Sequence, residues 1–556
     1  MKHERELISR LSDRLFESIR DVCLVWFVLA AVTTAPYVIA LLRAPGGSVF
    51  TGVLTAYDDT LTYFAWTRQS ADGRVLMCDL FTSEPQECRF FLPLWSALGL
   101  IVRITRAPIA LVFHVARILA ALLLLIVARA VAQTMFKLRT RVQYFLWLYA
   151  TSAGFGWLVY LVKSKVSIVA PVEASGSIDL NVPEAIAFRS VFGQVHFSVG
   201  VALLALALKL FFDALIEERA SRAFAAGALI SILAVVHPYI VVVAVAVSAI
   251  ALLSRKWITQ TRSTVNRELY IGARLGVSLS VAALPGIAYL IYVNRSSDVL
   301  REWLRVTDTA SPAPWEYAMG FGIVFLMAIA GFWVMWSERS QFGLMLLIWT
   351  LVQAGLLYAP ISFQRRFVEG LQLPLTIAAA VAIFRIADTK FQQSASTRRK
   401  IFLTGTILLA SITNIGFIAG QLLMQRNAKP VDARRYISAD LVAVFDWLSK
   451  TRQRDAVVFS SYLTGNLAPS MTGLRVYLGH YGQTINSDEK GAQVTAFFTG
   501  AMSDEDARRL FRDYHVSYVV YGEFERAISR NFVAPTWLNL VFRAGDVEVF
   551  EVASDV

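Results

Sequence analysis

The stretch AYDDTLTYFAWTRQ, residues 56–69, sets two adjacent carboxylates, Asp58 and Asp59, just beyond the first long apolar run. Tyr63, Phe64 and Trp66 follow them at helical spacing. A carboxylate held at an interface crowded with aromatics loses hydration, which raises its basicity and suits it to take a proton from a hydroxyl. An aspartate at that place also serves as a cap for a helix starting near Thr60, because its oxygens satisfy free amides at a helix start. Capping and proton transfer are compatible, so both readings stand. Glu84, in TSEPQE, adds an acid to the same loop and could orient a hydroxyl-bearing group there.

A second constellation is basic. SFQRRFVEG, residues 362–370, places Arg365 and Arg366 side by side at the outer end of one apolar segment and the start of the next. Long basic side chains snorkel readily at such an interface. Adjacent guanidiniums nevertheless repel each other and favour a shared anion, and Arg contacts phosphate bidentately. At that depth the fitting anion is a lipid phosphate. Arg117 lies about two turns inside an apolar run, where a cation is costly unless paired or hydrated, and His114 sits one turn away; a polar cluster and a structural buried pair both fit. His196, in FGQVHF, and His237, before Pro238, stand where helices begin or break, so each either stabilises irregular backbone or contributes to binding. Metal ligation lacks a pattern: there is no HExxH and no close His/Cys cluster, so no metal site is assigned and no cofactor is expected, although a divalent ion stays open. The phosphate-cradling GxxxxGK[ST] is absent, against an ATP-driven machine. SDEDA, residues 503–507, reads as a helix start, and Gly479, His480 and Gly482 in YLGHYGQT read as a strand-to-loop turn.

The elements that must position these residues belong to a membrane protein. Of 556 residues, 56% are hydrophobic and 17% charged, against about 25% charged in soluble domains. Residues 22–42 form an uninterrupted apolar run, long enough for a hydrocarbon core of about 30 Å, and read as a retained signal anchor. Ten more apolar segments follow, at 109–132, 142–162, 197–215, 224–236, 239–253, 275–293, 321–336, 344–358, 371–387 and 401–424. With the N-terminus in the cytoplasm, the basic groups around Lys137, Arg255 and Arg398 all fall inside, as the positive-inside rule asks. That requires a broken hairpin of two short helices at His237-Pro238 and a surface-lying segment at 92–103. The eleven crossings or half-crossings leave long outer loops at 43–91, 163–196 and 294–317. The net charge of +12 serves topology, so nucleic acid is not a partner. Two domains are expected: a multi-spanning region, 1–426, and a small extracytoplasmic α/β domain, 427–556, where strand-like and helix-like patterns alternate. In the latter, 436–450 reads as an amphipathic helix, 456–460, 475–479 and 516–522 as strands. Cys78 and Cys88 share the first outer loop, as a disulfide or as two free thiols.

Taken together, DDTLTYFA, NVPEAIAF, VHPY, FQRRFVEGL, TGLRVYLGHYGQT and YVVYGEFER resemble the GT-C superfamily of integral membrane glycosyltransferases, over essentially the whole chain. The resemblance implies a mainly α polytopic membrane fold and transfer of a sugar from a polyprenyl-phosphate donor to a glycan, lipid or protein acceptor. It further implies work on the outer face of a bacterial inner membrane, in the lipid bilayer. The family's catalytic acid would fall on Asp58 or Asp59, with Asp59 matching better through Tyr63 and Phe64. Arg365, Arg366, Glu84, His196, His237 and Arg117 are the candidate substrate-binding residues. The WWD signature of oligosaccharyltransferases is absent, which speaks against transfer of a preassembled oligosaccharide to asparagine. The mechanism requires the acids and the paired arginines to converge on one outward-facing pocket. The competing readings are a secondary transporter or lipid flippase built on the broken hairpin and Arg117, and a non-catalytic assembly factor.

Overall fold

The computed structural model describes residues 2–166, 176–260, 263–306, 308–391, 396–426, 434–450 and 455–553. In chain order the first helices are α1 (Lys2–Leu42), α2 (Tyr57–Ala71), α3 (Pro93–Thr105), α4 (Ile109–Met135), α5 (Arg139–Thr151), α6 (Gly156–Val166), α7 (Ile178–Asn181) and α8 (Ala187–Gly193). Then come α9 (Val195–Glu217), α10 (Ala220–Val236), α11 (Val241–Leu253), α12 (Arg255–Thr259), α13 (Val265–Ser296), α14 (Asp298–Val306), α15 (Pro314–Ser337), α16 (Gln341–Leu356), α17 (Gln372–Lys390) and α18 (Ser396–Arg426). Among the described residues, eight helical segments are long and apolar enough to cross a membrane, and Ala220–Val236, Pro238–Leu253 and Gln341–Leu356 are shorter apolar helices. These match the eleven apolar segments of the sequence, including the short hairpin, which breaks at a 3-10 turn over Pro238–Ile240. The molecule is a multi-pass membrane protein. The segment at 92–103 forms α3, whose 13 residues reach only about 20 Å. It buries Trp95, Leu98 and Gly99 and leaves Leu100, Ile101 and Ile104 exposed.

The chain divides into two compact units, Met1–Ala35, Arg117–Leu290 and Thr309–Gln421 in one, Pro36–Ala116, Ile291–Asp308 and Leu422–Val556 in the other. This division cuts across the compositional boundary at 426, because the 43–91 loop, together with the adjoining ends of α1 and α4, clusters with the C-terminal region.

In the first unit, the ion pairs join helix ends that the positive-inside reading puts on one side. Arg139 grips Asp21 with two 2.8 Å bonds from Nε, Arg141 and Arg399 share Asp388, and Arg255, nearly fully buried, pairs with Glu218 at 2.7 Å and with Glu268. On the opposite side, Thr309 and Ser362 are joined through backbone, as are Arg365 and Thr309. The expected continuous helix at 142–162 is interrupted between α5 and α6. The reason is Gly154, where a Cβ would stand 2.1 Å from the Met319 carbonyl oxygen and 2.4 Å from Gly320. The break thus seats directly on α15, which kinks at Gly322. Asp179, buried, accepts from the freed amides of Gly154 at 2.9 Å and Gly156 at 3.2 Å.

The second unit holds β1 (Ser48–Phe50), β2 (Tyr436–Ser438), α19 (Ala439–Ser449), β3 (Val457–Phe459), α20 (Tyr462–Thr472), β4 (Arg475–Val476), α21 (Ser487–Thr499), α22 (Asp504–Asp513), β5 (Val516–Tyr521), α23 (Glu523–Ile528), β6 (Leu538–Ala544) and β7 (Val547–Val552). Its sheet runs β4-β3-β5-β7-β6, parallel from β4 to β5 and antiparallel from β5 to β6. Phe459, Phe497, Phe498, Phe511 and Trp537 fill the core beneath it. One correction concerns 436–450: its first three residues are a strand, not helix, because Ser48–Phe50 of the outer loop pairs with them antiparallel. Ser438 then caps α19 by accepting from the Leu441 amide. The outer loop also adds to the sheet edge, where the Val476 amide donates to the Leu80 carbonyl at 2.9 Å. Cys78 and Cys88 are joined as a disulfide.

Candidate functional site

The acids come first in the chain and lie in the second unit. Asp58 and Asp59 occupy the first turn of α2, where the positive end of the helix dipole favours carboxylates. Neither is the cap: that position is Ala56, in left-handed backbone with φ 49°, and no side chain bonds the helix start there. The two acids face different ways, because residues four and seven apart share a helix face and neighbours do not. Asp58 shares its face with buried Thr62 and Ala65, and both its oxygens are engaged. Arg434 Nη1 donates to Oδ2 at 2.9 Å and the Tyr462 hydroxyl to Oδ1 at 2.7 Å. Thr62 accepts from Gln483 Nε2 at 3.1 Å on the same side. Asp58 is therefore a clasp between the outer loop and the C-terminal sheet region.

Asp59, half-buried, shares its face with Tyr63 and Trp66. Tyr63 stacks on Trp95 of α3 with ring centroids 4.5 Å apart and 5° between planes, and Trp66 lies near Trp95 and Trp303 of α14. The face of Asp59 is an aromatic wall, of the kind that lines sites for small organic ligands.

Glu84 is held by a partner the sequence did not indicate. Lys490, its side chain 1% exposed, donates to Glu84 Oε1 at 2.7 Å, and Thr82 bonds the other oxygen. Burial pulls the Lys490 ammonium below its ordinary range, opposed by the Glu84 charge. Asp79 lies close by, with Oδ1 accepting from the Phe81 amide at 2.8 Å. Burial pushes its carboxyl up to about 7, against the backbone bond that lowers it.

The basic constellation lies in the first unit. Arg365 and Arg366 sit on a 3-10 turn over Gln364–Val368, and Gln353 pins that turn by donating to the carbonyls of Phe367 and Glu369, each at 2.6 Å. The Arg366 guanidinium lies over the Tyr239 ring, 4.8 Å from its centroid. His237 Nε2 and Glu369 Oε2 are 2.5 Å apart, and the His196 ring is 5.0 Å from that of His237. The start of α9, the turn between α10 and α11 and the turn before α17 thus bring His196, His237, Arg366 and, one residue away, Arg365 into one neighbourhood. Glu369 completes it. Sequence reading passed over this acid although it stands inside VEG; an acid buried at membrane depth was the available signal.

Arg117, fully buried, spends its donors on Thr33 at 3.2 Å, Thr34 at 3.0 Å and the Val191 carbonyl at 2.7 Å, which ties α1 and α4 to α8. That is the work of a structural cation. His114 accepts or donates at 2.9 Å with the Gly52 carbonyl in the second unit. Among the described residues, no group of three or more His, Cys, Asp or Glu side chains is arranged to hold a metal ion.

No protein-family model matches the chain, and no curated protein matches it in sequence. Solved structures do match. ArnT from Cupriavidus metallidurans, solved bound to undecaprenyl phosphate, aligns with a TM-score of 0.53 at 12% identity over 95% of this chain and 98% of that one. The arabinofuranosyltransferase AftD from Mycobacteria aligns at 0.51 and 13% identity over 95% of this chain and 40% of its own. The Archaeoglobus fulgidus oligosaccharyltransferase, solved with a tethered acceptor peptide, aligns at 0.50 and 12% identity over 90% and 69%. All three are GT-C glycosyltransferases. The chain has the GT-C fold: a polytopic helical membrane protein with a small C-terminal sheet region. ArnT, unlike the other two, is spanned nearly end to end.

Proposed function

We propose that the protein is an inverting membrane glycosyltransferase that moves a single sugar from a polyprenyl-phosphate donor to a hydroxyl acceptor at the outer face of a bacterial plasma membrane. The observation that carries this reading is a pair of carboxylates in the first turn of α2, on a GT-C fold, with Asp59 on the helix face that carries Tyr63 and Trp66. Asp58 is bound at both oxygens by Arg434 and Tyr462, and Asp59, about 100° round the helix, lies on the face of Tyr63 and Trp66. In the reaction, the acceptor hydroxyl gives its proton to the Asp59 carboxylate as its oxygen attacks the anomeric carbon. The bond from that carbon to the phosphate oxygen breaks, and polyprenyl phosphate leaves with the electron pair. Arg365 and Arg366 hold the phosphate as its charge grows, supported by Tyr239 beneath one guanidinium and by Gln353 behind the turn. A metal ion is not assigned a part.

The test is incubation of the purified protein with a panel of radiolabelled polyprenyl-phosphate sugars. Transfer from one of them, lost in Asp59→Asn, is the expected result. A folded protein that transfers from none overturns the reading in favour of transport.

A further inference from the structure

The loop after β4 carries a histidine whose hydrogen-bonding state is fixed by backbone. His480, 1% exposed, accepts at Nδ1 from the amides of Gly482 at 3.0 Å and Gln483 at 3.1 Å. Two N–H groups aimed at one ring nitrogen exclude a proton there, so the neutral ring carries its hydrogen on Nε2 and is a donor at that atom. The same arrangement opposes the imidazolium, and burial brings the group down to about 4. Nε2 is buried and has no hydrogen-bond partner among the described residues. A buried donor without an acceptor is unfavourable in a folded protein, so this one calls for an oxygen from outside the chain.

What lies over the ring is equally specific. Tyr481, 51% exposed, stacks on the His480 imidazole with centroids 4.9 Å apart and 19° between planes. Its amide donates to the Tyr462 hydroxyl at 3.1 Å, and that hydroxyl donates to Asp58. Gln483 reaches Thr62, one turn along α2 from Asp58. The loop is thereby fastened to the helix that bears the acid pair.

We propose that Tyr481 and His480 form the subsite for the sugar of the acceptor: the exposed tyrosine ring takes the apolar face of an uncharged sugar, and His480 Nε2–H donates to one of its oxygens. For the sugar to reach the buried donor, the Tyr481 ring stacked on the imidazole must turn aside. The aromatic face and one oriented polar group are the usual makings of a site for a small polar ligand with an apolar side. The inference rests on the glycosyltransferase reading for the word acceptor, yet binding at this loop is measurable without any transfer.

The experiment is saturation-transfer NMR on the full-length protein in detergent micelles with methyl glycosides of glucose, galactose, mannose and arabinofuranose. At least one glycoside is expected to receive magnetisation, with binding weakened about tenfold in Tyr481→Ala and retained in Tyr481→Phe. His480→Asn keeps an oxygen to accept the two loop amides but lacks the distal N–H, so it is expected to fold with an unchanged unfolding midpoint and still lose most of the binding. Absence of a signal with every glycoside, or binding unchanged in both Tyr481→Ala and His480→Asn, overturns the subsite. Sugar binding that depends on these residues supports it whether or not transfer is measured, which separates its fate from that of the reaction.

Discussion

The acidic start of α2 and the basic turn before α17 use charge in opposite ways. At α2 the first acid is neutralised by Arg434 and fastened by Tyr462, so its charge is consumed in holding the outer loop to the C-terminal region. At the basic turn, Arg365 and Arg366 stand together while the acid nearest in sequence, Glu369, is taken up by His237. One region spends a charge on fastening two segments together; the other gathers two guanidiniums on a turn pinned by Gln353. The lesson is that a charged motif declares its role by its partners. Asp58 and Asp59 look alike in the sequence and diverge because a helix turns about 100° between them.

The strongest way to break this comparison is Asp59→Asn, expected to lower the transfer rate about 10³-fold, within the range for loss of a general base, with the unfolding midpoint unchanged. Rates measured with saturating donor and acceptor decide it; an equal loss of stability would make Asp59 a second clasp. Next is Arg366→Ala, expected to cost about 10²-fold in kcat, as for loss of one oriented charge stabiliser, with Arg366→Lys intermediate because a point charge replaces a planar fork. An effect on KM alone would show uniform binding instead.

Asp79 supplies a pH-dependent contrast. Its folded pKa, raised by burial to about 7 from 3.8, means the folded state holds the proton more tightly. Its stabilising contribution is therefore complete below about pH 4 and is lost as pH rises to 7. Unfolding midpoints of wild type relative to Asp79→Asn are expected to fall across that window; parallel profiles would refute the burial. The smallest effect on transfer belongs to the clasp: Asp58→Asn should destabilise by about 1.5–3 kcal/mol, as for a hydrogen bond to a charged group. It should open the 43–91 loop to protease, with transfer reduced far less than in Asp59→Asn.

Much of this architecture was legible in sequence. The apolar segments located the helices, and Pro238 located the broken hairpin, because length and hydropathy are local properties and proline acts on its own turn. The interruption at Gly154 was not legible: the helix breaks because α15 presses on it, from a place more than a hundred residues away. Tyr436 to Ser438 read as helix and became strand for the same kind of reason, since Ser48–Phe50 offered a ladder that local propensity could not foresee. Of the candidate residues, Arg365, Arg366, His196 and His237 were found by their types at helix breaks and do lie together. Glu84 and Arg117 were found by type as well, but burial beside Lys490 and beside Thr33, Thr34 and Val191 gave them structural partners. Glu369 and Gln353 were missed, one hidden beside two conspicuous arginines, the other an uncharged residue with no pattern to mark it.

By itself the sequence determined that the chain resides in a membrane, how many apolar segments it carries, and which residue types stand at their ends. Those are set by composition and by periodicities of a few residues. Only the tertiary structure decided that Asp58 fastens two segments while Asp59 shares a face with aromatics, which arginine is a brace, and that the 43–91 loop and the C-terminal strands are one folded unit. Those outcomes depend on hydrogen bonds between residues from 74 to 404 positions apart, and no local preference encodes such a partner.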